Sequence, residues 1–314
     1  MLRAHPDASV RYVTLDVFTR ERFKGNPLAI VEMPLGGELT PETKQRIARE
    51  FNFSETVFLH PRSSELSRRT IDIFTTTQEL PFAGHPTIGT LVYLCTGPDS
   101  AKENKTQSFT LQTKAGPIKA NVSGDTAEAS IPHNVRVHKI PVPWHSVLNA
   151  QPSLRSAEAG FSTPCPLVSI VKGMTFVLVE LLHVEDLAAL TVGGPRVDSV
   201  EWDTGWESFT APYFYAIVSE DEEARHVAVR VRMIESTVGE DPTTGSAASA
   251  LSTYLALQRG AAGSTYSFCI EQGVEMGRHS KIRVQVTLND SGDGVQDVVL
   301  AGSAVLVSEG KLYL

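Results

Sequence analysis

The sequence has few cysteines, no long apolar run and no concentration of positive charge, and each shortage removes a class of protein. Only Cys95, Cys165 and Cys269 occur in 314 residues, odd in number and far apart. They support neither a disulfide framework nor a zinc cluster, and fit reduced, mostly buried thiols in a cytoplasmic protein. No segment reaches the roughly 20 apolar residues of a membrane span. The opening Met1-Leu2-Arg3-Ala4-His5-Pro6-Asp7 lacks the apolar core of a secretion signal, so no leader is expected. With 28 Lys and Arg against 36 Asp and Glu the net charge is −8, and there is no basic run. Nucleic acid is therefore not an expected partner, because phosphate binding needs clustered cations. Several motifs are missing too. No Gly-x-Gly-x-x-Gly opens the chain, His-Glu-x-x-His is absent, and Gly239-Glu-Asp-Pro-Thr-Thr-Gly245-Ser246 lacks the lysine of a phosphate loop and spaces its glycines one residue too widely. His133 and His138 have no carboxylate or thiol cluster beside them, so no metal site is expected.

What is present is a chain of about two domains at the usual ~150 residues each, with 41% hydrophobic and 20% charged residues, as in ordinary globular proteins. Two glycine-containing segments read as copies of each other. Ile73, Glu79, Gly84, Tyr93 and Leu94 each recur 161 residues later, as Ile234, Glu240, Gly245, Tyr254 and Leu255. Each segment reads as a strand, a polar turn, a glycine and an apolar helix. A helix start exposes backbone N–H groups and favours anions, so two such starts point to a carboxylate-bearing ligand held between two related halves.

The remaining pattern is mostly strand. Tyr12–Phe18, Phe53–Leu59 and Arg69–Phe74 read as strands, and Phe109–Val122 as a hairpin turning at Gly116-Pro117. Thr40–Phe51 has helical spacing, with Thr40 as cap and Pro41 in the first turn. The same 161-residue offset carries Phe53–Phe58 onto Phe214–Ser219, and the first hairpin has a counterpart in Ile270–Val286. The proline-rich Ile131–Pro143 is a crossover, dividing the chain into 1–132 and 133–299, while Ala301–Ser308 is a last strand that either half could claim. Gly194-Pro195-Arg196 and Asn289–Gly294 read as loop tips without chemistry.

Four polar residues stand at unusual places. Glu55 lies in an apolar strand, His85 follows Gly84 at a helix start, Asp241 precedes Pro242, and Ser246 follows Gly245. Each has a plain alternative: an outward-facing strand residue, a helix cap, a turn initiator before proline, or an ordinary first-turn serine. What sets them apart is broken symmetry. The offset pairs Glu55 with Ala216, Leu80 with Asp241 and His85 with Ser246, so the scaffold repeats while the polar groups do not. A Ser246–His85–Asp241 triad is conceivable on composition, but Ser246 is not in a Gly-x-Ser-x-Gly elbow.

Together, Asp16-Val-Phe with Gly25-Asn-Pro-Leu-Ala-Ile-Val31, Phe53-Ser-Glu-Thr-Val-Phe58, Glu79-Leu-Pro-Phe-Ala-Gly-His85-Pro-Thr-Ile-Gly, Glu240-Asp-Pro-Thr-Thr-Gly-Ser-Ala and Gln272-Gly-Val-Glu-Met-Gly-Arg-His-Ser280 resemble the PhzF-like family of phenazine-biosynthesis isomerases, in order and over nearly the whole chain. The resemblance implies an α+β fold of the diaminopimelate epimerase type: two pseudo-symmetric strand-rich domains, each wrapped around a central helix, with a cleft between them. It also implies a homodimer and a C-terminal strand, 300–314, that returns to the first domain. In such enzymes the strand glutamate, here Glu55, is the general acid/base. His85, Asp241 and Ser246 would contact the substrate and assist proton movement, with Asn26, Gly84, Thr244 and Gly245 binding it. No cofactor is implied. Related racemases use two cysteines, and none of the three here lies in a motif. His279 departs from the family's usual Arg-Pro-Ser. The implied reaction is isomerisation or epimerisation of a small carboxylate-bearing metabolite, dihydro-hydroxyanthranilate-like or an amino or hydroxy acid. Two other classes stay open: a binding or regulatory protein that keeps the site without turnover, and a hydrolase using Ser246.

Overall fold

The computed structural model describes residues 9–37, 39–65, 67–97, 106–155, 164–236 and 239–314; the opening segment read above for a leader, 1–8, lies outside them. The chain forms two compact units, one of Met1–Ser130 with Ala301–Leu314 and one of Ile131–Leu300.

The first unit contains β1 (Ser9–Val17), β2 (Asn26–Glu32), α1 (Pro41–Phe51), β3 (Thr56–Leu59), β4 (Arg68–Phe74), β5 (Glu79–Leu80), α2 (Gly84–Thr96), β6 (Gln107–Thr113), β7 (Gly116–Ser123) and β8 (Thr126–Ser130). The second contains β9 (Arg136–Val137), α3 (Trp144–Ala150), β10 (Leu167–Val171), β11 (Met174–Glu180), β12 (Phe209–Asp221), β13 (His226–Glu235), β14 (Gly239–Asp241), α4 (Gly245–Arg259), β15 (Thr265–Gln272) and β16 (Ser280–Leu288). β17 (Val295–Tyr313) begins in the second unit and ends in the first, where it pairs antiparallel with β1 from Ser9↔Tyr313 to Val17↔Ala304.

Strand pairing repeats between the units. In the first, β2–β3 is parallel, β3–β4 antiparallel, β4–β6 parallel and β6–β7 antiparallel. In the second, β11–β12, β12–β13, β13–β15 and β15–β16 follow the same sequence of directions. β7 and β16 alternate buried and exposed residues, the pattern of strands with one face on a core. The core of each unit is its helix. Gly84 through Tyr93 of α2 are buried without a break, and so are Gly245 through Thr253 of α4, so both helices lack a polar face. Small residues make this possible. A Cβ on Gly89 would lie 2.6 Å from Leu28 Cδ2 and 2.8 Å from Val17 Cγ2, so glycine lets β1 and β2 close onto α2. On α4, Ala247, Ala248, Ser249 and Ala250 serve the same purpose.

α1 starts as its sequence predicts, with Thr40 accepting the Thr43 N–H at 3.3 Å and Pro41 in the first turn. Lys44 ties it down through a 2.5 Å ion pair to Asp72 of β4. Three expectations need correction. The first hairpin turns at Lys114-Ala115, two residues before the expected Gly116-Pro117, and Gly116, with φ of +113°, opens β7. Glu55 precedes β3 and is not inside it. The 161-residue offset also fails on that strand. Phe58 faces Asp72 while Tyr213 faces Met233, so the β12–β13 hairpin is six residues longer than its counterpart. The counterpart of Glu55 therefore falls at the start of β12, by Thr210, and not at Ala216. Arg196, at one of the loop tips, pairs with Glu235, which is 2% exposed, at 3.0 Å.

Candidate active site

In the first unit the site is built by two turns and a helix start. The β1–β2 connection holds its shape through positive φ at Phe18, Phe23 and Gly25. A Cβ on Gly25 would fall 2.2 Å from the Val17 carbonyl oxygen, so only glycine fits. The buried Asp16 carboxylate accepts the Phe23 N–H at 2.5 Å. This turn delivers Asn26, 2% exposed, to the start of β2, where Ser54 donates to its Oδ1 at 3.4 Å. Asn52, in the left-handed region with φ 51°, ends α1 and swings Phe53-Ser54-Glu55 back towards β3. Glu55 then meets His85, with Oε2 and Nδ1 3.4 Å apart and the two side chains 17% and 5% exposed. Burial pushes the Glu55 carboxyl up to about 7, against a smaller downward pull from the Ser54 hydroxyl. The pair is an ion pair only when the imidazole is protonated. His85 is the second residue of α2, and no side chain caps that helix, so its first-turn N–H groups are directed to whatever lies before it.

In the second unit Asp241 ends β14, opposite Met233 of β13, which in turn lies opposite Tyr213 of β12. Asp241 Oδ1 accepts the Thr243 N–H at 3.2 Å and Oδ2 accepts the Thr244 hydroxyl at 2.7 Å. α4 starts at Gly245-Ser246, again with no side-chain cap. Asp241, Thr244, Gly245 and Ser246 thus share one turn. Beneath it lies Gln272, which is fully buried and bonded to Asp241, Thr244 and Tyr213. The sequence reading quoted Gln272 in a motif without giving it a role. A Gln-Gly pair closing an alternating strand is the signal the sequence offers.

The repeated glutamates are structural. Glu79 pairs with Lys114 at 2.7 Å, and Glu240 forms a two-pronged pair with Arg232, whose guanidinium also donates to the Leu187 and Leu190 carbonyls. None of the cysteines belongs to either turn, and Cys165 is wholly buried, which pushes its thiol up to about 12. A histidine–serine contact away from the motifs, His138 Nε2 to Ser169 at 2.9 Å, has the wrong polarity for a nucleophile. His138 Nδ1 accepts the Asp203 backbone N–H at 3.0 Å, so Nε2 carries the proton and donates. Among the described residues no group of three His, Cys, Asp or Glu is arranged to hold a metal ion, and no helix is long and apolar enough to cross a membrane.

A doubled unit of strands wrapped around a buried helix, with a Glu–His contact at one helix start and a carboxylate before the other, is the α+β fold of the diaminopimelate epimerase type. Solved structures share it. A phenazine biosynthesis protein of the PhzF family from Bacillus anthracis aligns over 98% of this chain and 100% of its own with a TM-score of 0.73 at 22% identity. A probable proline racemase from Agrobacterium radiobacter, 13% identical, aligns over 97% of this chain and 93% of its own with a TM-score of 0.59. The chain belongs to the phenazine biosynthesis-like protein family, PhzC-PhzF, whose sequence profile matches residues 15–310. It is 34% identical to an uncharacterised isomerase of Mesorhizobium japonicum over 96% of this chain and 98% of that one. It is 31% identical to the trans-2,3-dihydro-3-hydroxyanthranilate isomerase of Pseudomonas aeruginosa over 97% and 99%. Isomerase activity is thereby supported at the level of the family.

Proposed function

We propose that this protein is a cofactor-independent isomerase or epimerase of a small carboxylate-bearing metabolite, with Glu55 as general acid/base. The observation that carries the reading is Glu55 itself: a largely buried carboxyl with a pKa of about 7, 3.4 Å from His85 at an uncapped helix start. A group poised near neutrality both takes and returns a proton with little loss in either direction. In the proposed step the Glu55 carboxylate removes a proton from an acidic C–H. The electron pair left behind spreads into the adjoining unsaturated or carboxylate-stabilised system, and the proton is returned at another carbon or on the other face. Nothing is gained or lost overall, so no redox partner is needed. His85 holds Glu55 in place and assists the transfer. On the family resemblance, Asp241 and Ser246 are the further groups proposed to contact substrate, with Asn26, Gly84, Thr244 and Gly245 as binding groups. First-turn N–H groups suit the substrate carboxylate and the charge developing beside it. With a net charge of −8, attraction of an anion must come from such local groups and not from the overall field.

The named activity of the Pseudomonas aeruginosa relative makes trans-2,3-dihydro-3-hydroxyanthranilate the first compound to test, followed by amino and hydroxy acids. Incubation in deuterated water, read by mass spectrometry, should place deuterium in product or recovered substrate with the wild type and not with Glu55→Gln. Full activity of Glu55→Gln on any converted compound would remove Glu55 from the role.

A further inference from the structure

We infer that Gln272 is a positioning residue that fixes the direction of the hydrogen bond between Thr244 and Asp241; its relevance to turnover rests on the function proposed above. The argument begins with two backbone groups whose roles are beyond choice. The Thr244 N–H can only donate and reaches Gln272 Oε1 at 3.1 Å, while the Asp241 carbonyl can only accept and receives Gln272 Nε2 at 2.8 Å. These contacts admit one orientation of the amide. With that orientation set, Nε2 also donates to Thr244 Oγ1 at 3.0 Å. The threonine hydroxyl, engaged as an acceptor from Gln272, directs its single proton to Asp241 Oδ2 at 2.7 Å. Tyr213, wholly buried, closes the network by donating to Gln272 Oε1 at 3.1 Å, and burial keeps its phenol protonated. Asp241 is thus addressed by donors on both oxygens, Thr243 N–H on one and Thr244 O–H on the other.

The duplicated unit shows that this network is an addition and not a requirement of the scaffold. Gln272 faces Ser280 at the end of the β15–β16 ladder, as Thr113 faces Gly116 at the end of β6–β7. The Thr113 hydroxyl instead bonds across its own hairpin, to the Gly116 carbonyl. In the second unit the longer 273–279 turn is pressed against Asp241's neighbour. Ser280 Oγ lies 3.3 Å from the Pro242 carbonyl, and Gly273, at φ +74°, sits where a Cβ would come within 2.7 Å of that same oxygen. Gln272 therefore appears where the polar symmetry breaks, beneath the residue that breaks it.

The test has two arms. Crystal structures of the wild type and Gln272→Met compare the turn directly. The Thr244 hydroxyl is expected to leave Asp241 Oδ2 once its donor is gone, and persistence of the Asp241–Thr244 contact in Gln272→Met overturns the proposal. Kinetics on a compound converted by the wild type form the second arm. Gln272→Met should lower kcat at least roughly tenfold with KM within about threefold, the signature of a group that matters in the transition state. Gln272→Glu, which keeps both acceptor contacts, serves if the methionine variant does not fold. Its activity relative to the wild type should improve from pH 8 to pH 5.5, as a protonated carboxyl regains a donor; a ratio flat with pH overturns the proposal. A wild type that exchanges no proton on any probe would defeat the proposed function and leave the structural arm standing.

Discussion

The pKa of Glu55 makes a prediction that needs no substrate. Replacing Glu55 by Gln removes a carboxyl that ionises at about 7 in the folded protein and near its ordinary value of 4.5 when unfolded. Below pH 4.5 both states hold the proton and the group contributes nothing. Between 4.5 and about 7 the unfolded chain releases the proton while the folded chain keeps it, so stability falls by about 1.4 kcal/mol per pH unit. Above about 7 both are ionised, and the cost stays at its full value of about 3 kcal/mol. The Glu55 side chain is only 17% exposed, so solvent screening removes little of this. Glutamine carries no such cost. The stability difference between Glu55→Gln and the wild type should therefore swing by about 3 kcal/mol in favour of the variant from pH 4 to pH 8, on top of a constant offset from altered packing. Urea titrations at four or five pH values measure it. The probe must report the first unit: Trp144, Trp202 and Trp206 all lie in the second, so amide exchange in β1–β8 is the right signal. A difference that does not change with pH refutes the raised pKa and with it the acid/base argument. A swing of opposite sign would mean that a charged His85 holds Glu55 as a carboxylate. The expected outcome pairs a gain in stability with a loss of activity, as for a site that stores an unfavourable charge for function.

Three further outcomes follow from other parts of the structure. On a compound whose conversion starts with C–H abstraction, kcat/KM should rise with pH up to about 7 and then level off, because the base must be ionised; a pH-rate profile without that break counts against Glu55. Arg232→Met should destabilise the second unit by about 3–5 kcal/mol in urea, because it strands the Glu240 carboxylate. The double variant Arg232→Met/Glu240→Leu should recover at least half of that loss, and no recovery would contradict a buried-charge origin. Gly89→Ala should cost the first unit about 1–2 kcal/mol, as crowding of Leu28 and Val17 outweighs the gain in helix propensity; a stabilised variant would show that α2 has room.

How far the sequence reached depended on whether the deciding force was local. α1 was legible to the residue, because its cap, its Pro41 and its apolar spacing all act within one helix. The duplicated glycine segments were legible because α2 and α4 must each lie wholly inside a unit, and an apolar helix entered through glycine has few other destinies. The polar residues at the two glycine motifs were readable as departures from the repeat, since broken symmetry is visible in one dimension. Register was not. The longer β12–β13 hairpin changes no motif and no composition, yet it moves the counterpart of Glu55 from Ala216 to the start of β12. Strand pairing is chosen between segments far apart in the chain, and a slip costs nothing that a linear pattern records. The sequence likewise named Glu55 and His85 without their 3.4 Å approach, and named Asp241 without the buried Gln272 beneath it. Identity of side chains, helix starts and duplication were written in order along the chain. The raised pKa of Glu55 and the orientation of the Asp241 turn exist only once the strands have closed around the helices, because burial and hydrogen-bond direction belong to the packed interior and not to any segment within it.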